Sequence, residues 1–166
     1  TAPANTDGTT TTVTANTSSL PDGEVTVEAR LVDGSWANVG GFTATSQVTK
    51  DTDFPIVTNA TIPDEPINDT QTNTSQELVI DFNEPMDTET TPEVSITGLE
   101  HANITEATGW ETNTTWVGTV SFDDLNKEST GTIEVSGATN PAGNEVHTED
   151  QYTVDVDTRQ PVVRSL

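Results

Sequence analysis

The sequence predicts an all-β chain built from β-sandwich modules in tandem, and three observations carry that expectation. Apolar and polar residues alternate over short runs, the period-2 signature of half-buried strands. No window repeats its apolar residues at the 3.6-residue spacing of an amphipathic helix. A joint pattern occurs twice, as Val48-Thr-Lys-Asp-Thr-Asp-Phe-Pro-Ile-Val57 and as Tyr152-Thr-Val-Asp-Val-Asp-Thr-Arg-Gln-Pro-Val-Val163. Each copy runs from a strand-like stretch through Asp-x-Asp to proline and two β-branched residues. Asp53 and Asp157 are 104 positions apart and Pro55 and Pro161 are 106 apart, the length of one sandwich domain.

Taken in order, residues 1–22 are rich in Thr, Ser, Asn, Gly and Pro, with an edge strand expected over Thr9–Thr14 around Val13. Leu20-Pro-Asp-Gly23 is turn chemistry. Val25, Val27, Ala29 and Leu31 then alternate with Thr26, Glu28 and Arg30, which reads as a strand. Asp33-Gly34 turns the chain, Trp36 offers one large apolar group, and Phe42 to Val48 returns towards the first joint. Three short strands bury too little apolar surface to stand alone. Aligning Gly23 with Gly131 matches this stretch to the last part of the following module. Residues 1–54 are therefore expected to be the C-terminal half of a sandwich or a small β unit.

Residues 55–157 are expected to form a complete seven-stranded sandwich, with 158–166 as linker or the start of another module. Ile56 to Thr61 supplies the first strand, and 62–76 reads as a polar loop around Pro63 and Pro66. Leu78, Ile80 and Phe82 share one parity. Val94 with Ile96, and Ile104 to Trp110, give the next two strands. Trp116, Val120 and Phe122 share a parity with Gly118 between them, and Ile133 with Val135, then Tyr152, Val154 and Val156, complete the set. The expected inward set is Leu78, Ile80, Phe82, Trp116, Val120, Ile133, Val135 and Val154.

Charge limits the partners. The chain carries 28 acidic residues against 5 basic ones, a formal charge of −23. Such a surface repels nucleic acid phosphates and anionic lipid heads, so neither is expected as a partner. No apolar run is long enough to span a membrane, so no direct membrane insertion is expected. Low hydrophobicity with high charge is also the composition of disordered chains, but the strand periodicity speaks for a folded one. Dense cation screening in very high salt would tame this self-repulsion. The chain has no cysteine, which excludes disulfides, thiolate metal sites and thiol catalysis. It begins at Thr1 without Met and carries no signal peptide, as expected of a mature or excised piece.

Catalysis is not expected. His101 and His147 are isolated, and neither belongs to a two-histidine zinc spacing. Nucleophile-elbow, P-loop and dinucleotide-binding fingerprints are absent. Asp123-Asp124 reads as a solvated turn rather than an acid–base pair. Calcium is the better chemical candidate, because hard cations need clustered oxygen ligands. Asp51 with Asp53, and Asp155 with Asp157, place two carboxylates on one side of an extended chain at each joint. The alternative is that both pairs are solvated acidic linkers. Six Asn-x-Ser/Thr sequons occur, at Asn16, Asn59, Asn68, Asn73, Asn103 and Asn113. They are candidate N-glycan sites if the protein is exported, with Asn68, Asn73 and Asn113 preferred for their loop positions.

Three stretches together carry a family resemblance. Phe82-Asn-Glu-Pro-Met-Asp87 resembles the F-x-E-P-M signature of bacterial and archaeal Ig-like surface modules. Gly131-Thr-Ile-Glu-Val-Ser-Gly-Ala-Thr-Asn-Pro-Ala-Gly-Asn144 is similar to their G-x-Y-x-V-x-G-A-x-D-x-A-G-N ending, with Asn140 in place of the usual Asp. The Asp-x-Asp joints look like their inter-domain linkers. With the acidic bias, the closest resemblance is to a haloarchaeal surface-layer glycoprotein. The resemblance implies an extracellular, glycosylated Ig-like segment on a cell or virion surface, partnered by neighbouring Ig-like domains or by self-assembly. The alternatives are an adhesin, a haloarchaeal virus fibre or turret, and an accessory domain of an extracellular hydrolase. An exposed patch of Trp36, Trp110 or Trp116 would favour binding, and burial of all three a spacer.

Overall fold

The computed structural model describes residues 12, 14–32, 35, 37–100, 102–147 and 152–163. Trp36, His101 and Val13, with most of the edge strand expected around Val13, lie outside them. The described residues contain strands and no helix. The chain divides into two compact units, Thr1–Thr52 and Asp53–Leu166.

The first unit is a two-stranded antiparallel ribbon of β1 (Gly23–Val32) and β2 (Asn38–Lys50). Its register pairs Gly23 with Lys50, Val25 with Val48 and Val27 with Ser46, and a bulge interrupts it between Arg30 and Val32. Directly opposed residues of an antiparallel pair share a face. One face therefore carries Val25, Val27, Ala29, Ala44 and Val48. The other carries Glu24, Thr26, Glu28, Gln47 and Thr49, tied by Gln47 Nε2 donating to Glu24 Oε1 at 2.7 Å.

The second unit contains β3 (Val57–Thr61), β4 (Ile67–Asn68), β5 (Ser75–Phe82), β6 (Glu93–Thr97), β7 (Ala102–Trp110), β8 (Thr115–Phe122), β9 (Glu128–Ser136) and β10 (Tyr152–Asp157). They form two four-stranded sheets, ordered β3-β5-β8-β7 and β4-β10-β9-β6. Every pairing is antiparallel except the short parallel contact of β10 with β4. The two sheets contribute to one hydrophobic core, a sandwich-like arrangement. All eight residues expected to point inward are buried, from Leu78 on β5 to Val154 on β10. The alternation on β8 places Trp116, Gly118, Val120 and Phe122 inward, as period-2 geometry requires.

The structure adds one strand to the seven expected. Residues 62–76 are not a purely polar loop, because Ile62 and Ile67 are buried and Ile67-Asn68 pairs with Val156-Asp157. The cis Glu65–Pro66 bond lies just before this strand. The F-x-E-P-M stretch also has a mechanical reading. Phe82 and Met86 are both buried, Asn83 Oδ1 accepts from the Ile56 amide at 2.8 Å, and the Met86 amide donates to the Asn113 carbonyl at 2.7 Å. The stretch fastens the entry to β3 and the β7–β8 turn to the end of β5.

Gly118 makes room for the largest buried side chain. A Cβ added there would sit 2.7 Å from Cζ3 of Trp116, in the middle of a closed core. Gly118→Ala is therefore expected to destabilise the second unit by about 1–3 kcal/mol through overpacking. The midpoint of urea unfolding measures this, and an unchanged midpoint would mean that the indole does not lie over Gly118.

Candidate functional site

Among the described residues, carboxylates, sequons and an open basin are the features that bear on function. The pocket lined by Leu99, Phe122, Leu125, Val156 and their neighbours encloses only about 10 Å³. That is room for a single water and for no organic ligand. Two tryptophans proposed as markers of a binding face are packed against the core. Trp116 is 1% exposed. Trp110 is half-buried, with its ring centroid 5.4 Å from that of Phe82 and its Nε1 donating to the Thr90 carbonyl at 2.7 Å. Trp116 Nε1 is buried with no acceptor, so this residue contributes through its packing.

In the second unit, Asp155 and Asp157 do not lie in a linker. They occupy outward positions of β10, while the alternating Val154 and Val156 point into the core. Each already has protein partners. Asp155 Oδ1 accepts from Thr130 Oγ1 at 2.7 Å. Asp157 Oδ1 accepts from the backbone and Nε of Arg159, each at 3.1 Å. The Arg159 hydrogen bonds hold the Asp157 carboxyl below its ordinary range.

In the first unit, Asp51 follows β2 and is half-buried. Its carboxylate comes within 4.8 Å of that of Asp22, a residue not among the expected ligands. Asp22 is well served by donors. Lys50 Nζ approaches Oδ1 at 2.5 Å, and the Thr52 hydroxyl and amide donate to Oδ2 at 2.6 and 2.9 Å. These contacts, with Lys50 first, lower the Asp22 carboxyl from 3.8 to about 2. Because the folded value is depressed, this group's contribution to stability is present above 3.8 and is lost as pH falls towards 2.

Asp53, the first residue of the second unit, is exposed. It lines an open depression with Phe54, Ile56, Asn83 and His147. Pairing of His147 with the Pro55–Ile56 segment assembles this basin, through the His147 amide donating to the Pro55 carbonyl at 2.8 Å. Phe54 is 62% exposed there.

The sequons separate by accessibility. Asn16, Asn68, Asn73, Asn103 and Asn113 are exposed. Asn73 takes a positive φ of 56° at a loop. Asn59 differs, being half-buried on β3 with Nδ2, the atom a glycan would occupy, donating to Asp81 Oδ2 at 3.1 Å. Asn140 is also structural. It is 1% exposed, and its Oδ1 accepts from the amides of Ala142 and Asn144 at 3.1 and 3.0 Å, which closes the Asn-Pro-Ala-Gly-Asn turn. Comparison with protein-family models, with curated proteins and with solved structures returns no match.

Proposed function

We propose that this chain is a tandem Ig-like segment of a halophilic surface protein, of the surface-layer type, acting as a non-enzymatic spacer or coat element. The observation that carries the reading is the contrast between a closed core and an acidic exterior. Among the described residues, the large inward side chains leave the pocket beside Leu99 and Phe122 only about 10 Å³, while Glu77, Glu93, Glu128, Glu134, Asp155 and Asp157 take exposed strand positions. An enzyme or small-molecule carrier needs a concave site with converging polar groups. A spacer needs a sealed core and a well-hydrated outside. Packing of Trp110 and Trp116 supports the same reading.

N-glycans fit the exposed sequons Asn16, Asn68, Asn73, Asn103 and Asn113. Calcium fits the paired carboxylates as a bridging ion, with Asp51 favoured over Asp155 and Asp157 because its carboxylate comes within 4.8 Å of that of Asp22. A binding role as an adhesin or virus fibre is the second reading, favoured by the exposed phenyl ring of Phe54 in the basin beside His147.

Protease shaving of intact cells or virions bearing the protein tests the location. Peptides of this chain are expected in the shaved fraction, with glycan mass on the exposed sequons and none on Asn59. Peptides released only after lysis, all unmodified, would overturn the surface reading. Calcium is tested separately at fixed ionic strength. It is expected to raise the melting temperature, and Asp51→Asn to reduce that rise; an unchanged melting curve with chelator would leave the carboxylates as solvated acid.

A further inference from the structure

The ribbon of the first unit repeats the register of the β9–β10 pair over three ladder pairs. Two sequence alignments bear on this, and they have different offsets. Gly23-Glu-Val-Thr-Val27 matches Gly131-Thr-Ile-Glu-Val135 at an offset of 108, and Gln47-Val-Thr-Lys-Asp-Thr-Asp53 matches Gln151-Tyr-Thr-Val-Asp-Val-Asp157 at 104. Nothing in those offsets obliges the strands to pair alike. Yet Val25 pairs with Val48 as Ile133 pairs with Tyr152, Glu24 with Thr49 as Thr132 with Thr153, and Gly23 with Lys50 as Gly131 with Val154. A slip of one residue would have put the opposite face inward.

The two pairs differ in what surrounds them. In the second unit, β6 lies along the free side of β9 and β4 along that of β10. The inward face of β9 and β10 packs into the core shared with β3, β5 and β8, and the Tyr152 hydroxyl donates to the Val57 carbonyl at 2.9 Å. Among the described residues, β1 and β2 pair only with each other. Val27, at the position of Val135, is 55% exposed against 5% for Val135. Val48, at the position of Tyr152, is 54% exposed. The polar face is already satisfied within the ribbon, by Gln47 with Glu24 and by Arg30 with Glu28 at 2.6 Å.

Two inward positions depart from the copy, and at one of them Thr52 stands where the buried Val156 stands. Lys50 stands where the buried Val154 stands, but its ammonium is drawn back to Asp22, which occupies the place of Thr130. The charge is thereby kept at the rim of the apolar face, in the manner of a snorkelling lysine.

We propose that the β1–β2 ribbon is the back half of a second sandwich, and that its apolar face receives a front-half β-segment patterned like residues 53–126. The occupant is a β-segment because the repeated pair is covered by strands and not by a helix or a lipid. Its inward residues alternate as Leu78, Ile80 and Phe82 do, and its β6-type strand adds to the free edge of β1 by main-chain hydrogen bonds. This inference rests on ladder register and not on glycans, calcium or a surface location.

The test uses the full chain with a second copy of residues 53–126 fused ahead of Thr1 through a flexible linker. Hydrogen exchange at Val25, Val27 and Val48 is compared with that in the unfused full chain. Exchange is expected to slow by about tenfold or more, because a covered ladder opens less often. Placing Val27→Asp and Val48→Asp in the fused chain should restore the unfused rate while the unfolding transition of the second unit stays in place. Unchanged exchange, with the fused segment left protease-sensitive, would overturn the proposal. A dimeric unfused chain whose ribbon is already protected would also overturn it, since the occupant would then be a second copy of the same ribbon.

Discussion

Phe82→Ala is expected to destabilise the second unit by about 3–5 kcal/mol, a large share of the 5–15 kcal/mol that typically holds a domain folded. The ring is 5% exposed and closes the end of β5, where it sits opposite Val57 in the ladder. It lies 5.4 Å from the Trp110 ring at an interplanar angle of 42°, a tilted aromatic pair that adds to simple burial. Its loss would also loosen Trp110, whose indole ties the Thr90 loop to β7. The Phe82 backbone bonds to the β7–β8 turn, through its amide and the Thr114 carbonyl at 2.9 Å, so the cavity would open where three segments meet. Urea unfolding followed by tryptophan fluorescence measures the loss. A cost below about 1 kcal/mol is the figure for an exposed position and would place the ring outside the core.

The parts of this fold that were legible in the sequence are those governed by alternation. On β5 the inward parity carries Leu78, Ile80 and Phe82 after a buried Gln76, on β8 it carries Trp116, Gly118, Val120 and Phe122, and the burial pattern follows that parity. Strand β4 was illegible for the same reason, because two residues carry no period, and only the complete burial of Ile67 reveals them. Asp155 and Asp157 read as calcium ligands at a joint because Asp-x-Asp before proline is joint chemistry, yet both lie on β10 with oxygens that accept from Thr130 and Arg159. Asp22 was missed because it is distant in sequence from Asp51, and only the Gly23–Lys50 pairing carries the two together. That signal was available in principle, since aligning Gly23 with Gly131 sets Asp22 at the place of Thr130, across the ladder from the Asp155 position. Asn140 stands where the resembled modules carry Asp. Its burial shows that the turn needs a side-chain acceptor for its own amides, which an uncharged amide provides without a charge to desolvate.

Melting temperature is expected to rise steeply between dilute buffer and molar KCl. The formal charge is −23 on 166 residues, with only five basic residues to offset it. Among the described residues, Arg30 pairs with Glu28, Lys50 with Asp22, Lys127 with Glu100, and Arg159 with Glu128 and Asp157. Pairs this exposed contribute little, so they leave the surplus of carboxylates largely unopposed. Two like charges 10 Å apart in water repel by about 0.4 kcal/mol, small for one pair but a match for the whole stability when tens of pairs add up. At about 0.01 M salt the Debye length is about 30 Å and nearly every pair on the unit is felt; at about 1 M it is about 3 Å and few are. Unfolding lets the charges move apart, so the penalty falls mainly on the folded state, and screening should recover it. KCl is the proper titrant because sulfate and other excluded salts strengthen apolar burial by a different route. NaCl at equal ionic strength should give the same curve if screening is the cause. A melting temperature that stays level from dilute buffer to molar KCl would show that the acidic surface carries no net electrostatic cost, and the halophilic reading would fall with it.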